Sequence, residues 1–156
     1  MINPEKLSIL ERTHRLVAEF VDGMPDEVAS VKPSAEAFSV TEIVFHLADV
    51  EQLWHDRFAA MQASESAVVF SPMDPPAVAR EKNYNAKPLA TGMSEWTALR
   101  EKTYTLAQSM PEELLHKIAI HPRYGEMIIF RMFDIMANHD LQHLEQMKRT
   151  LKQVSA

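Results

Sequence analysis

FSVTEIVFHLADVEQLW, residues 38–54, carries the clearest helix start in the chain. Ser39 with Glu42 three positions later forms a capping box. The hydroxyl accepts one N–H left unpaired at the helix start, and the carboxylate reaches back to another. Phe38 and Ile43 occupy the staple positions flanking the box. Apolar residues then recur at helical spacing, with Ile43, Leu47, Val50, Trp54 and Met61 on one side. The spacing predicts a helix from this cap to about Gln62, with His46 toward the edge of its inward arc.

Three more segments show the same period. The first runs from about Pro4 to Met24, with Asn3 as cap and Pro4 at the first helical position. Ile9, Leu10, Leu16, Val17, Phe20 and Val21 share half of its wheel. The third runs from about Ser94 to Met110, pointing Trp96, Leu99, Thr103, Leu106 and Met110 one way. The fourth, from about Glu126 to Gln153, follows the break HPRYGE. Between the second and third, residues 64–92 hold Pro72, Pro75, Pro76 and Pro88, which rule out one continuous helix. PPAVAREK within that stretch suits a short helix. A connection of this length either crosses a bundle or covers a site. Rods of roughly 17–28 residues span about 25–40 Å. The expected fold is therefore all-α: an antiparallel four-helix bundle with a long connection between helices 2 and 3, forming one domain over residues 1–156.

The composition agrees. The 156 residues include three glycines, nine prolines and 46% apolar side chains, which fits a helical chain better than a glycine-punctuated sandwich. Net charge is −6, and Lys and Arg are scattered in short groups such as Lys148-Arg149, so nucleic acid is not an expected partner. No run approaches the ~18 apolar residues of a membrane span, and the N-terminal residues lack a signal-peptide pattern. The expected location is the cytoplasm, in line with the absence of cysteine. That absence also excludes thiolate ligands and a cysteine nucleophile.

NHDLQHLEQ, residues 138–146, breaks the apolar logic of the fourth helix. Ile128, Met132, Ile135, Met136, Met147 and Thr150 define its inward arc. Arg131, Asp134, Asn138, Glu145 and Arg149 take the opposite side. His139 and His143 fall at the centre of the inward arc, with Gln146 also within it. A buried imidazole needs partners for its nitrogens, and a metal satisfies two at once. Residues at i and i+4 lie about 5–6 Å apart at Cβ, close enough to share one ion. His46 is the candidate third ligand. The alternative is that each is a core histidine bonded to a backbone carbonyl. His14 borders the apolar arc of the first helix, His55 is read as pointing outward, and His116 and His121 precede the last helix.

FSVTEIVFHLAD, HPRYGE and NHDLQHLEQ, in that order and spacing, resemble the DinB/YfiT-like family of bacterial metalloproteins. Its segments typically read W-S-x-x-E-x-x-x-H-L-x-D and H-D-x-x-H-x-x-Q. The likeness covers nearly the whole chain, with Phe38 standing where the family often has Trp. The resemblance implies the four-helix bundle and a divalent metal, nickel or zinc, on His46, His139 and His143. It also implies a chemistry, because some members resemble transferases or isomerases that use a low-molecular-weight thiol.

Three protein ligands plus an open position is the catalytic pattern of such sites. The expected function is a metal-dependent enzyme that activates a small-molecule thiol for transfer to an electrophile. Two alternatives stand beside it: a metal-assisted hydrolase using bound water, and a metal-stabilised binding protein without chemistry, sealed by a fourth ligand such as His14. Asp49 and Gln146 are candidates to orient the ligand rings. Arg57, about 16 Å along the helix from His46 at 1.5 Å per residue, is expected in a structural ion pair. A homodimer is expected, with Phe130 and Phe133 as exposed apolar contacts.

Overall fold

The computed structural model describes residues 4–156. Asn3, the expected first cap, lies outside the described residues. Four long helices carry the fold: α1 (Pro4–Val21), α3 (Val40–Ala63), α5 (Leu89–Ser109) and α7 (Ile129–Val154). Short helices α2 (Asp26–Ala29), α4 (Pro75–Glu81) and α6 (Glu112–Leu115) and strands β1 (Val68–Val69), β2 (Ile118–His121) and β3 (Gly125–Ile128) join them.

The capping box forms as read. Ser39 Oγ accepts from Glu42 N at 3.1 Å, and Glu42 Oε2 accepts from Ser39 N at 3.0 Å. Ser39 also donates to Asn85 Oδ1 at 2.6 Å, tying the helix start to the crossing segment. Replacing Ser39 with alanine should lower stability by about 1–2 kcal/mol in urea unfolding. An unchanged midpoint would remove the cap from this account.

Contacts along the helices give their directions. Lys6 pairs with Asp134 and Thr13 with Asp140, so α1 and α7 run parallel. Glu51 pairs with Arg100, while a Cβ added at Gly92 would lie 3.1 Å from side-chain atoms of Val44 and Phe45, so α3 and α5 are also parallel and packed closely. His14 meets Thr97 whereas Leu10 meets Arg100, which makes α1 antiparallel to α5. The bundle is thus two parallel pairs set antiparallel to one another. Returning the chain from the end of α3 to the start of α5 in the same direction is what the long connection does.

The core has two apolar ends and a polar waist. One end gathers Leu7 and Leu10 with Trp54, Phe58, Met61, Met110, Met132 and Phe133. The other gathers Val17 and Val21 with Ile43, Val44, Leu47, Trp96, Leu144 and Met147. Between them Arg100 of α5 joins all four long helices. Its guanidinium donates to Glu51 of α3 (2.7–2.8 Å), to Asp140 of α7 (3.0–3.2 Å) and to Leu10 O of α1 (2.9 Å). Thr13 adds a 2.5 Å bond to Asp140.

Several expectations need correction. Helix α5 begins at Leu89, not near Ser94, because Pro88 occupies its cap and residues 89–93 continue the turn. Helix α7 begins at Ile129, not Glu126. The preceding residues form a hairpin, with Ile118 opposite Ile128 and His121 opposite Gly125, and β1 adds in parallel. Gly125 takes φ +71 there, a conformation glycine adopts without strain. Ile9 and Leu16 are 39% exposed, since the buried stripe of α1 (Leu7, Leu10, Thr13, Val17, Val21) is narrower than half the wheel. Phe133 is fully buried against Phe58, with ring centroids 5.1 Å apart, so it is unavailable to a second chain.

Candidate metal centre

The cap fixes where α3 starts, and seven residues later His46 enters the waist, 7% exposed. On α7, His139 and His143 face it from successive turns. Their Nε2 atoms lie 3.1 Å apart, and the His46 ring centroid is 5.3 Å from that of His139 and 4.6 Å from that of His143. One ligand nitrogen from each residue falls within 4.8 Å of the others. Three nitrogens about 2.0–2.1 Å from a tetrahedral ion sit about 3.3 Å from one another. The α7 pair therefore already has ligand spacing, and the widest separation exceeds it by no more than about 1.5 Å.

The donor set fits a divalent cation. His143 Nδ1 lies 2.8 Å from Gln146 Oε1, an oxygen that can only accept, so the ring proton sits on Nδ1 and the Nε2 lone pair faces His139. Gln146 thus holds the ring of His143 through one bond. Burial pushes the His46 pKa down to about 3, with help from His143, and burial pushes His139 down to about 2, with help from the other two histidines and Arg100. Burial also lowers His143. All three rings are neutral at pH 7, the form in which imidazole ligates. Among the described residues these are the only three that gather in this way.

Asp49 is engaged by other partners. Its Oδ1 accepts from Lys82 at 2.8 Å and its Oδ2 from the Tyr84 hydroxyl. Those partners come from the crossing segment, over thirty residues away, and hold the carboxylate on the flank of α3. His14 is not a fourth ligand: its Nε2 is 3.0 Å from Thr97 Oγ1 and its ring leans on Trp96. The buried carboxylate next to these histidines is Asp140, directly after His139. It is held by Arg100 and Thr13 on the turn of α7 that carries His139.

The histidines open onto a cavity of about 420 Å³, lined by His46 and His139 at one side. Trp54 and Arg57 of α3, Ile135 of α7 and Pro72, Met73 and Pro75 of the crossing segment form much of its wall. The hairpin turn supplies His121, Arg123 and Tyr124. Lys117 fastens the hairpin to the end of α3, donating to Met61 O at 2.6 Å and also to Ser64 O.

Arg57 is not in an ion pair among the described residues. It donates to Ser71 O at 2.9 Å and lies over the rings of Trp54 and Phe70, 4.9 and 4.6 Å from their centroids. Cation–π contact contributes about 0.5–2 kcal/mol, less than the several kcal/mol of burying a charge without a counter-ion. His121 reaches the cavity wall only through the hairpin, so local spacing does not reveal it. The alternating apolar residues around HPRYGE were the available signal.

Comparison with known proteins follows the same outline. Residues 9–147 match the model of the DinB superfamily. An uncharacterized protein of Bacillus subtilis (strain 168), YuaE, is 24% identical over 144 residues, covering 85% of this chain and 88% of that protein. Among solved structures, YfiT from Bacillus subtilis superposes with a TM-score of 0.84 at 16% identity, over 99% of this chain and 91% of that one. It is described as "a probable metal-dependent hydrolase with an unusual four-helix bundle topology". A DinB-like protein from the same organism, YjoA, gives 0.65 at 12% identity over 97% and 93% of the two chains. An uncharacterized protein from Clostridium difficile 630 gives 0.70 at 10% identity over 99% and 98%. At these identities the structural likeness speaks for the fold.

Proposed function

The chain belongs to the DinB superfamily, and from that premise we propose that it is a metal-dependent enzyme in which His46, His139 and His143 hold one divalent ion and a small-molecule thiol is activated for transfer to an electrophile. The observation that carries this reading is the cavity wall: it opens on two of the three histidines and contains no carboxylate. A divalent ion in such a set supplies positive charge that favours the anion of a bound thiol or water near neutral pH. An attacking water works best with a base to take its proton. Here Asp49 is bound to Lys82 and Tyr84, and Glu51 and Asp140 to Arg100. A thiol, with its lower intrinsic pKa of about 8.5, has less need of such a base.

In this reaction the S–H proton goes to solvent, a sulfur–carbon bond forms, and the leaving group departs with the electrons of its bond. The chain has no cysteine, so the thiol is a separate small molecule. The residues' part is to hold three neutral rings in place, through Gln146 and Asp140, and to line the cavity beside them.

A second reading, hydrolysis with water as the nucleophile, draws support from the description of YfiT. Protein purified without a polyhistidine tag should contain about one divalent ion per chain. Substituted with cobalt, it should develop a sulfur-to-metal absorption band when a thiol is added. Turnover of an ester without any thiol response would favour the hydrolase. Absence of a bound divalent ion would remove both readings.

A further inference from the structure

Arg57 is a buried cation with no counter-ion among the described residues. It is 7% exposed, no carboxylate lies within 4.0 Å among the described residues, and its Nε has no hydrogen-bond partner. Burial lowers its pKa, with no neighbouring acid to oppose that shift. The other buried arginine among the described residues is handled differently: Arg100, 5% exposed, has two carboxylates. A structural arginine would be expected to have the same. Arg57 instead lines the cavity, and the other ionic side chain of that wall is Arg123.

His121 adds a neutral donor. Its Nδ1 accepts from the backbone N–H groups of Arg123 (3.0 Å) and Tyr124 (3.3 Å), so its proton is on Nε2. Burial, Arg57 and Arg123 all disfavour a second proton on the ring. A chain of net charge −6 has therefore built one concave surface with cations and a donor and no acid. Such a surface concentrates anions locally against the overall charge. Trp54, Met73, Tyr124 and Ile135 supply apolar area for a carbon skeleton of a few atoms.

We infer that this cavity binds a small organic carboxylate, with Arg57 as its counter-ion and the Nε2–H of His121 as a donor beside it. The electrophile handled at the three histidines is then an organic acid, held by its carboxylate end while its apolar body reaches toward His46 and His139. What happens to the acid rests on the metal-dependent reading; its binding does not.

Hexanoate and hexanamide, equal in size and differing in charge, are the probes. Each is titrated into the full-length protein at low salt and followed by tryptophan emission, since Trp54 lines the cavity and touches Arg57. Hexanoate should bind roughly 10- to 100-fold more tightly than its amide. Arg57→Met should abolish that preference while leaving the unfolding temperature of the ligand-free protein unchanged or higher. A merely structural arginine would destabilise on removal and leave the preference intact. Equal affinity of acid and amide for the native protein overturns the inference without any variant. So does a preference that survives Arg57→Met. Repeating the titration after chelator treatment separates the two proposals. A preference that disappears with the chelator places the anion on the divalent ion and overturns the role of Arg57. A preference that persists after chelation supports Arg57, whereas failure of the untreated protein to take up a divalent ion overturns the metal-dependent reading alone.

Discussion

His139→Ala is expected to abolish stoichiometric binding of a divalent ion and all activity that depends on it. Two histidines remain, on different helices, and a two-ligand site is weak. Loss of even a supporting hydrogen bond typically costs 10–100-fold in affinity, so loss of a ligand should exceed about 100-fold. Elemental analysis and a metal titration give the readout. The fold should persist, because alanine is a good helix former at position 139 and the neighbouring Asp140–Arg100 bonds are untouched. A metal bound at 1,000 times its dissociation constant stabilises the native state by about 4 kcal/mol. Chelator should accordingly lower the unfolding temperature of the native protein and leave that of His139→Ala alone. Gln146→Ala should fall between, weakening metal binding about 10–100-fold, since His143 keeps its place on α7 and loses only the bond that fixes its tautomer. Retention of one tightly bound ion by His139→Ala would dismiss the three-histidine centre.

Arg100→Met should cost about 3–5 kcal/mol of stability at neutral pH. The guanidinium is the only link among the described residues between Glu51 and Asp140, which are 2% and 3% exposed. Burial disfavours its charge, but Asp140 and Glu51 outweigh that and raise its pKa. Without it two buried carboxylates have no cation, and each must bind a proton or stay charged in an apolar waist. Burial already raises the Asp140 pKa to about 6 with Arg100 beside it, and without the guanidinium it rises further above its unfolded value. The folded state binds more protons than the unfolded one in that window, so stability falls as pH rises through it. The deficit relative to the native protein should consequently be largest near neutrality and shrink on acidification toward the ordinary carboxylate range. Urea unfolding at pH 7 and pH 4 tests the sign. Replacing Glu51 and Asp140 with apolar residues alongside Arg100→Met should recover most of the loss, because the cost lies in unpaired charge. Metal affinity should fall in the single variant as well, since Asp140 directly follows His139 and Glu51 shares a helix with His46.

What could be read from the residues alone was whatever depends on a few turns of one helix. Ser39 and Glu42 sit three apart, and their box places the start of α3 wherever that helix packs. His139, His143 and Gln146 share a face by the 3.6-residue period, which makes the histidine pair on α7 legible in the sequence. The choice of His46 as third ligand followed from its place on an apolar arc. Asp140 was present in the same stretch, but nothing local distinguishes a carboxylate gripped by a distant arginine from one in solvent.

The tertiary structure decided everything that relies on which segment comes to lie beside which. Asp49 had the right position on α3 to support a ligand, yet Lys82 and Tyr84 take both its oxygens. Arg57 was expected to have an ionic partner, and the fold leaves it in a cavity wall with none. The hairpin brings His121 and Arg123 over α3 because Lys117 finds the open carbonyls at that helix's end. Helix period and capping are governed by neighbours within four residues. The charge balance of a pocket is instead a sum over elements far apart in the chain, and only their packing fixes which charges enter it.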